Sequence, residues 1–319
     1  MIPKVKELKD FLKIISRKPA QFLLAGFILS FLPGQNFYQT TSFAFKKPLI
    51  QPLLFNLPPV AFYPVKITSV PPPSLSAGSA LVLDPVSGVI LYEKNPNERF
   101  SPASTTKIMT ALVALEKFNP DEILTVKTVE KTGRIMGLKE GERLTFENLL
   151  YGLLVHSAND AAVTLAENYP GGRESFISAM NRVAKKLNMK NTHFVNETGF
   201  EQDKHYISSI DLARLATFAL ENPIFLKTVE TKKITVWDVT KTEAHLLENV
   251  NKLLGEIPGL YGVKTGWTEN AGECLVAATE REGRKIITVV LKSADRFGET
   301  EKLVNWAFLN HRWITPYSF

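Results

Sequence analysis

The sequence has a single cysteine, Cys274, among 319 residues, so the chain cannot form an intrachain disulfide. This cysteine lies in an apolar run that indicates a strand, and we interpret it as a small buried residue rather than a nucleophile. The histidines lack the spacing of metal ligands. We therefore predict no metal and no cofactor, and structural roles for His156, His193, His205, His245 and His311.

Long apolar segments are also scarce. A helix needs about 20 apolar residues to span a bilayer comfortably, and the apolar run at residues 22–32 is shorter. A basic segment precedes this run, which is typical of a secretory signal. Ser42 and Ala44 offer a cleavage site, but far downstream, so residues 1–44 fit a basic cytoplasmic segment followed by either a signal peptide or a signal-anchor. Both predict that the rest of the chain is exported.

Net positive charge is confined to the start of the chain. The net charge is +6, yet residues 1–75 alone carry +7, which leaves −1 for the remainder. This distribution argues against nucleic acid as a partner. Residues 48–73 hold eight of the nineteen prolines, so we predict a proline-rich tether over residues 45–75. One globular domain is expected over residues 76–319.

Apolar periodicity predicts the elements of this domain. Two runs at 80–84 and 89–92, joined by Pro85-Val-Ser-Gly88, favour a hairpin. After this hairpin we expect helices, then further strands and a closing helix, and this order indicates an α+β fold: a sheet covered by segregated helices. The expected helices are 104–118, 144–155, a helix ending at 167, 173–187, 209–221 and 298–311, and the later strands are 234–239, 259–265, 273–279 and 285–291.

Three short motifs carry candidate chemistry. Ser104-Thr-Thr-Lys107 begins a predicted helix, and residues three apart share a helix face, about 5–6 Å apart at Cβ. An unprotonated lysine would reach the serine hydroxyl there. Ser157-Ala-Asn159 lies at another helix start. Lys-Thr-Gly occurs at 131–133 and at 264–266, and we prefer the second because it ends an apolar run that leads into an edge hairpin.

In this order the motifs resemble those of the active-site serine D-alanyl-D-alanine carboxypeptidases, the low-molecular-mass penicillin-binding proteins. Segments 102–110, 192–200 with His205-Tyr206, and 262–272 are similar to the same family, and the similarity covers about residues 77–311. It implies a β-lactamase/transpeptidase-like fold, with an antiparallel sheet flanked by helices and a mostly helical subdomain. Members often carry a β-rich domain and a membrane helix after the catalytic domain; we expect neither here.

The resemblance gives the catalytic residues their roles. Ser104 would attack the carbonyl of the penultimate D-alanine and form an acyl-enzyme. Lys107 would act as the base if burial and repulsion from nearby Lys264 lower its pKa. Ser157 would bridge the two lysines and pass the proton to the departing amine.

The binding residues follow in the same way. The backbone N–H groups of Ser104 and Trp267 would form the oxyanion hole. Asn159 would hold either the substrate amide or Lys107. Cationic and hydroxyl donors suit the terminal carboxylate of the substrate. The proposed substrate-binding set is Asn159, Lys264, Thr265, Gly266, Trp267 and Arg296.

These expectations favour a serine D-Ala-D-Ala carboxypeptidase that trims peptidoglycan stem pentapeptides and is inhibited covalently by β-lactams. We expect it at the outer face of a bacterial cytoplasmic membrane, or in the periplasm or medium if the signal is cleaved. A DD-endopeptidase would use the same residues and stays open. A class A β-lactamase is disfavoured because no Glu-x-x-Leu-Asn lies between Asn159 and Lys264. A catalytically idle envelope protein would have no reason to keep Ser104, Lys107, Ser157 and Lys264.

Overall fold

The computed structural model describes residues 62–315, together with Gln21, Leu23, Leu24 and Phe27. The chain divides into two compact units, Met1–Pro58 and Pro59–Phe319. In the first, the four described residues are helical and exposed. The predicted signal or anchor and most of the predicted tether therefore lie outside the described residues. Among those that are described, no helix is long and apolar enough to cross a membrane.

A five-stranded antiparallel sheet forms the centre of the second unit, with the strand order β3-β2-β10-β9-β8. Three two-stranded ribbons, β1-β11, β4-β5 and β6-β7, surround it. The strands are β1 (Tyr63–Lys66), β2 (Ser79–Leu83), β3 (Ile90–Lys94), β4 (Ile123–Thr125), β5 (Arg143–Thr145), β6 (Lys233–Trp237), β7 (Ala244–Glu248), β8 (Leu260–Thr268), β9 (Gly272–Arg281), β10 (Arg284–Ser293) and β11 (His311–Ile314).

Seven helices of this unit lie within the described residues, and a short 3₁₀ turn, Ala103–Thr106, leads into the first of them. They are α1 (Lys107–Leu115), α2 (Phe146–Leu154), α3 (Asn159–Asn168), α4 (Gly172–Lys186), α5 (Ser209–Leu220), α6 (Pro223–Val229) and α7 (Arg296–Asn310).

Both faces of the sheet are buried, because side chains alternate across each strand. On β2, Leu81 belongs to the large core shared with helices α1–α6, whereas Ala80 and Val82 belong to a second core. Leu303 and Val304 of α7 fill that second core from the opposite side. The sheet thus lies between α7 and a mostly helical layer, which confirms the predicted α+β fold.

The predicted hairpin and most predicted helices are present, but several boundaries differ. The helix expected from residue 144 begins at Phe146, because Arg143–Thr145 pairs with β4 and the Thr145 hydroxyl accepts from the Asn148 N–H at 3.3 Å. The tether was expected to reach residue 75, yet Tyr63–Lys66 forms strand β1 and pairs with β11. A strand that pairs with the domain therefore lies ahead of the proline cluster at 71–73.

Candidate active site

Ser104 lies in the 3₁₀ turn that leads into α1, with its backbone enclosed by two glycines. A Cβ on Gly199 would lie 1.9 Å from the Ala103 carbonyl oxygen, and one on Gly266 would lie 3.1 Å from the Ser104 nitrogen. Only glycine allows both segments to approach so closely. Ala103 itself adopts φ +47°, a region costly for a residue with a side chain. The serine is thus held by strained, closely packed backbone at the positive end of a helix.

Lys107 is completely buried one turn later, and its amine contacts three oxygens. Nζ lies 3.1 Å from Ser104 Oγ, 2.6 Å from Asn159 Oδ1 and 2.7 Å from the Thr198 carbonyl oxygen. The contact between Lys107 and Ser104 is the one that the motif spacing predicts. The amide and the carbonyl are fixed acceptors, so they orient the amine toward the serine.

Burial lowers the pKa of Lys107 to about 7, while the carboxylates of Glu197 and Asp160 oppose that shift. Glu197 is itself buried and pairs with Arg173 at 2.8 Å. At neutral pH a substantial fraction of Lys107 is therefore the free amine, which is the form able to accept a proton from Ser104.

Lys264 is buried on β8, and its Nζ donates to the Thr265 carbonyl oxygen at 3.1 Å. Its pKa lies well below the usual value, first through burial and then through repulsion from Lys107, Arg134 and Arg296. We predicted that burial and repulsion from Lys264 would both lower the pKa of Lys107. Burial is the main cause at Lys107, as predicted, and the repulsion between the two lysines lowers the pKa of Lys264. The carboxylates of Glu197 and Asp160 favour the charged form of Lys107 and so reduce the net lowering of its pKa.

Ser157 and Asn159 occupy the start of α3. The Asn159 side chain accepts from Lys107 and donates through Nδ2 to the Thr132 carbonyl oxygen at 2.8 Å, so of the two predicted roles it performs the contact with Lys107. Ser157 adopts φ +62° and faces the cavity. Its hydroxyl makes no hydrogen bond to another described residue, so the predicted bridge between the lysines is not formed in this structure.

Strand β8 and the start of α7 contribute the predicted binding residues. Thr265, Gly266 and Trp267 line a cavity of about 740 Å³ together with Ser104, and the Trp267 side chain is 63% exposed. Arg296 lines the same cavity and donates from Nη1 to the Gly266 carbonyl oxygen at 2.9 Å. The structure therefore brings these four residues to the serine.

The two Lys-Thr-Gly segments differ in their placement. In the second, Lys264 is buried beside the cavity. In the first, Lys131 is exposed and does not line the cavity, although Gly133 does. The first segment thus supplies backbone at the site, through Thr132 and Gly133, rather than a buried amine.

Several site residues carry no sequence signal that would have identified them. Thr198 acts through its carbonyl oxygen, which every residue type possesses, although it lies in a segment similar to the family. Arg134 lines the cavity from a charged loop where a single arginine is unremarkable. Glu197 and Asp160 act on Lys107 through charge alone and lie far apart in the sequence.

Among the histidines, His205 has contacts that are structural. His205 accepts at Nδ1 from the Val195 N–H at 3.0 Å and contacts the Thr106 hydroxyl through Nε2 at 2.9 Å. Burial lowers its pKa to about 4, so it is neutral and ties the start of α1 to the 192–200 segment. Within residues 62–315 and the four described ahead of them, no cluster of three or more His, Cys, Asp or Glu residues is suited to a metal ion.

An antiparallel sheet between helices, with a Ser-x-x-Lys pair facing its edge strand, is typical of the active-site serine enzymes of the penicillin-binding class. The chain belongs to the D-alanyl-D-alanine carboxypeptidase family, peptidase family S11, whose sequence model matches residues 66–295.

Named relatives agree with this assignment. The chain is 36% identical over 242 residues to the D-alanyl-D-alanine carboxypeptidase DacF of Bacillus subtilis, covering 73% of this chain but only 62% of that protein. It is 34% identical over 257 residues to a D-alanyl-D-alanine endopeptidase of Pseudomonas aeruginosa, covering 75% of this chain and 82% of the relative.

Solved structures agree as well. The Streptomyces K15 DD-transpeptidase superimposes with a TM-score of 0.71 at 35% identity, covering 75% of this chain and 100% of that one. Penicillin-binding protein D2 of Listeria monocytogenes, in its ampicillin-bound form, gives 0.67 at 33% identity, covering 75% and 100%.

Proposed function

We propose that this chain is a serine D-Ala-D-Ala carboxypeptidase that removes the terminal D-alanine from peptidoglycan stem pentapeptides. One observation carries the proposal: a completely buried lysine amine, with its pKa lowered to about 7, lies 3.1 Å from the Ser104 hydroxyl. That pair is a nucleophile with its base in hydrogen-bonding distance. Membership of the family and the ampicillin-bound relative support both the substrate class and covalent inhibition by β-lactams.

The first half of the reaction follows from the donors and acceptors around Lys107. In the neutral amine, two N–H groups donate to Asn159 Oδ1 and the Thr198 carbonyl, and the lone pair is left for the Ser104 O–H. Ser104 Oγ bonds to the carbonyl carbon of the penultimate D-alanine as Lys107 takes its proton. Backbone N–H groups of Ser104 and Trp267 would stabilise the oxyanion.

The second half returns the proton and releases the product. The C–N bond breaks and the terminal D-alanine leaves as an amine, protonated by Lys107 through Ser157, which lines the same cavity. Water then hydrolyses the ester and restores Ser104. Lys264, Thr265 and Arg296 would hold the terminal carboxylate of the substrate, and that negative charge would favour the protonated form of Lys264.

A DD-endopeptidase is the second candidate, since one relative at 34% identity carries that name. Incubation with a stem pentapeptide and with a cross-linked stem-peptide dimer separates the two. We expect release of D-alanine from the pentapeptide at least about tenfold faster than cleavage of the cross-link, a discrimination of about 1.4 kcal/mol. Faster cleavage of the dimer would replace this proposal by the second candidate, and rapid penicillin turnover would indicate a β-lactamase.

The pH dependence provides an independent test. Because the neutral form of Lys107 is the base and its pKa is about 7, the acylation rate should rise with pH and level off above that value. We expect the second-order rate constant for penicillin acylation to fall about tenfold per pH unit well below the pKa. Stopped-flow measurement from pH 5.5 to 8.5 checks this, and a flat profile would contradict the assignment of Lys107 as the base.

The location is also a proposal. The basic start and the apolar run at 22–32 support export, with the domain at the outer face of a bacterial cytoplasmic membrane or released after cleavage. Fractionation of the full chain with amino-terminal sequencing distinguishes an uncleaved anchor from a cleaved signal.

A further inference from the structure

Arg134 is a cation of the cavity wall to which the mechanism gives no role. Its exposed side chain lines the cavity that holds Ser104. Its guanidinium makes no hydrogen bond or ion pair with another described residue. By contrast, Arg296 in the same wall already donates to the Gly266 carbonyl oxygen. Arg134 therefore presents its donors to whatever enters the cavity.

The backbone around Arg134 is fixed on one side by Asn159. The Asn159 N–H donates to the Arg134 carbonyl oxygen at 2.7 Å, and the Asn159 side chain donates to Thr132. Gly133 adopts φ +71° and packs so tightly that a Cβ there would lie 2.7 Å from Asn159 Nδ2. Asn159, which also orients Lys107, thus holds this loop in place.

On its other side the loop is fixed by Asp160, which is completely buried. Its carboxylate accepts from the N–H groups of Met136, Gly137 and Leu138 at 2.9–3.1 Å. Arg134 lies between these two attachments, so its Cα is positioned before any substrate binds. A preorganised binding group loses less entropy on binding than one on a free loop.

The charge around Arg134 indicates the chemistry of its ligand. Repulsion from Arg134 is one of the causes that lower the pKa of Lys264, and Arg296 is another, so two permanently charged arginines act on the same buried amine and line the cavity. Two carboxylates, Glu201 and Glu269, also line it, but Glu201 is engaged by the N–H groups of Asn270 and Ala271. An anion entering among the cations relieves their repulsion, and arginine is suited to a carboxylate through paired N–H donors.

We propose that Arg134 binds a carboxylate of the substrate and so contributes to specificity, a role that rests on the proposed peptidase function. The carboxylate is either that of the terminal D-alanine, shared with Lys264 and Arg296, or one further upstream in the stem peptide. Both sources present the same chemistry. Arg134 reaches the cavity from a loop that is hydrogen-bonded to the start of α3, whereas Lys264 lies on β8.

A charge series at two positions of one loop tests the proposal. We expect R134E to lower kcat/KM about tenfold to a hundredfold, mostly through KM, as for loss of a charged hydrogen bond. R134Q should have an intermediate effect, and R134K should retain most of the activity. Lys131 is the matched control, because it is exposed in the same loop and does not line the cavity. K131E should change kcat/KM less than about twofold, since exposed charges beyond the site are screened.

A comparison of three peptide substrates identifies which carboxylate Arg134 binds. D-alanine release is measured from an acylated tripeptide ending in D-Ala-D-Ala, from a pentapeptide with a free upstream carboxylate and from the same pentapeptide with that group amidated. A loss in R134E on all three assigns the terminal carboxylate. A loss only on the pentapeptide with the free upstream carboxylate assigns the upstream one. Equal rates for R134E and K131E on every peptide would overturn the proposal.

The failure of this inference is distinguishable from failure of the proposed function. If the wild-type protein neither reacts with penicillin nor releases D-alanine, the peptidase proposal fails and takes the role of Arg134 with it. If the wild type is active while the charge at position 134 has no effect, only the inference about Arg134 fails. Melting curves of R134E and K131E, compared with the wild type, exclude misfolding as the cause of a lost rate.

Discussion

Replacing Ser104 by alanine is expected to abolish covalent labelling by penicillin and to reduce peptide hydrolysis on the order of 10⁶-fold, the scale found when a serine peptidase loses its nucleophile. The substitution removes one oxygen, whose described partner is the Lys107 amine at 3.1 Å. Losing that single hydrogen bond should change the free energy of unfolding by about 1 kcal/mol. Mass spectrometry of the intact protein after incubation with penicillin, with a melting curve, measures both effects.

The chain offers a closely matched control. Ser101 lies three residues earlier, and its hydroxyl is buried without a hydrogen-bond partner among the described residues. Ser101→Ala removes the same atom from the same segment and should label at the wild-type rate. Stoichiometric labelling of the Ser104→Ala protein would show that the nucleophile lies elsewhere.

The sequence could predict the site because its chemistry is carried by side chains in local patterns. Ser104 and Lys107 are one helical turn apart, so their contact follows from helix geometry alone. The motif at 157–159 lies at the start of α3, whereas the motif at 264–266 lies within the edge strand β8 beside the cavity. Spacing and chain order singled these motifs out, and the resemblance to a known family gave them their roles.

The features of the site that could not be predicted involve backbone atoms or contacts between residues far apart in the sequence. The Thr198 carbonyl oxygen, which accepts from Lys107, has no signature in the sequence. Gly199 is required because its backbone packs directly against the Ala103 carbonyl oxygen. The contribution of Arg134 depends on a fold that places its loop against Asn159, 25 positions later in the sequence. The dominance of burial at Lys107 likewise depends on how completely the packed domain excludes water.

The amino-terminal boundary shows the same limit for secondary structure. Proline density predicted a tether through residue 75, yet β1 contains Pro64 and, among the described residues, pairs with one neighbour, β11. Proline is tolerated in such an edge position because a strand with one neighbour leaves half of its N–H groups unpaired. Composition alone does not reveal that a distant segment, His311–Ile314, is available for pairing.

Replacing Lys107 has the second largest expected effect, and two variants separate its roles. Lys107→Met removes the base and also leaves the Asn159 oxygen and the Thr198 carbonyl without their donor. We expect acylation to fall about 10³-fold or more, within the range for loss of general-base catalysis, and the melting temperature to fall because buried acceptors lose their partner. Penicillin acylation rates and thermal unfolding measure these two effects.

Lys107→Arg separates the loss of the base from the loss of the buried hydrogen-bond donor. Arginine supplies N–H donors to both acceptors but stays protonated and cannot take a proton from Ser104. The variant should therefore recover stability relative to Lys107→Met while remaining about as slow in acylation. The residual rate of either variant should also lose the rise near pH 7, because the group that titrates there is gone. If Lys107→Arg instead acylates near the wild-type rate with the same pH profile, Lys107 orients the site and the proton goes to another group.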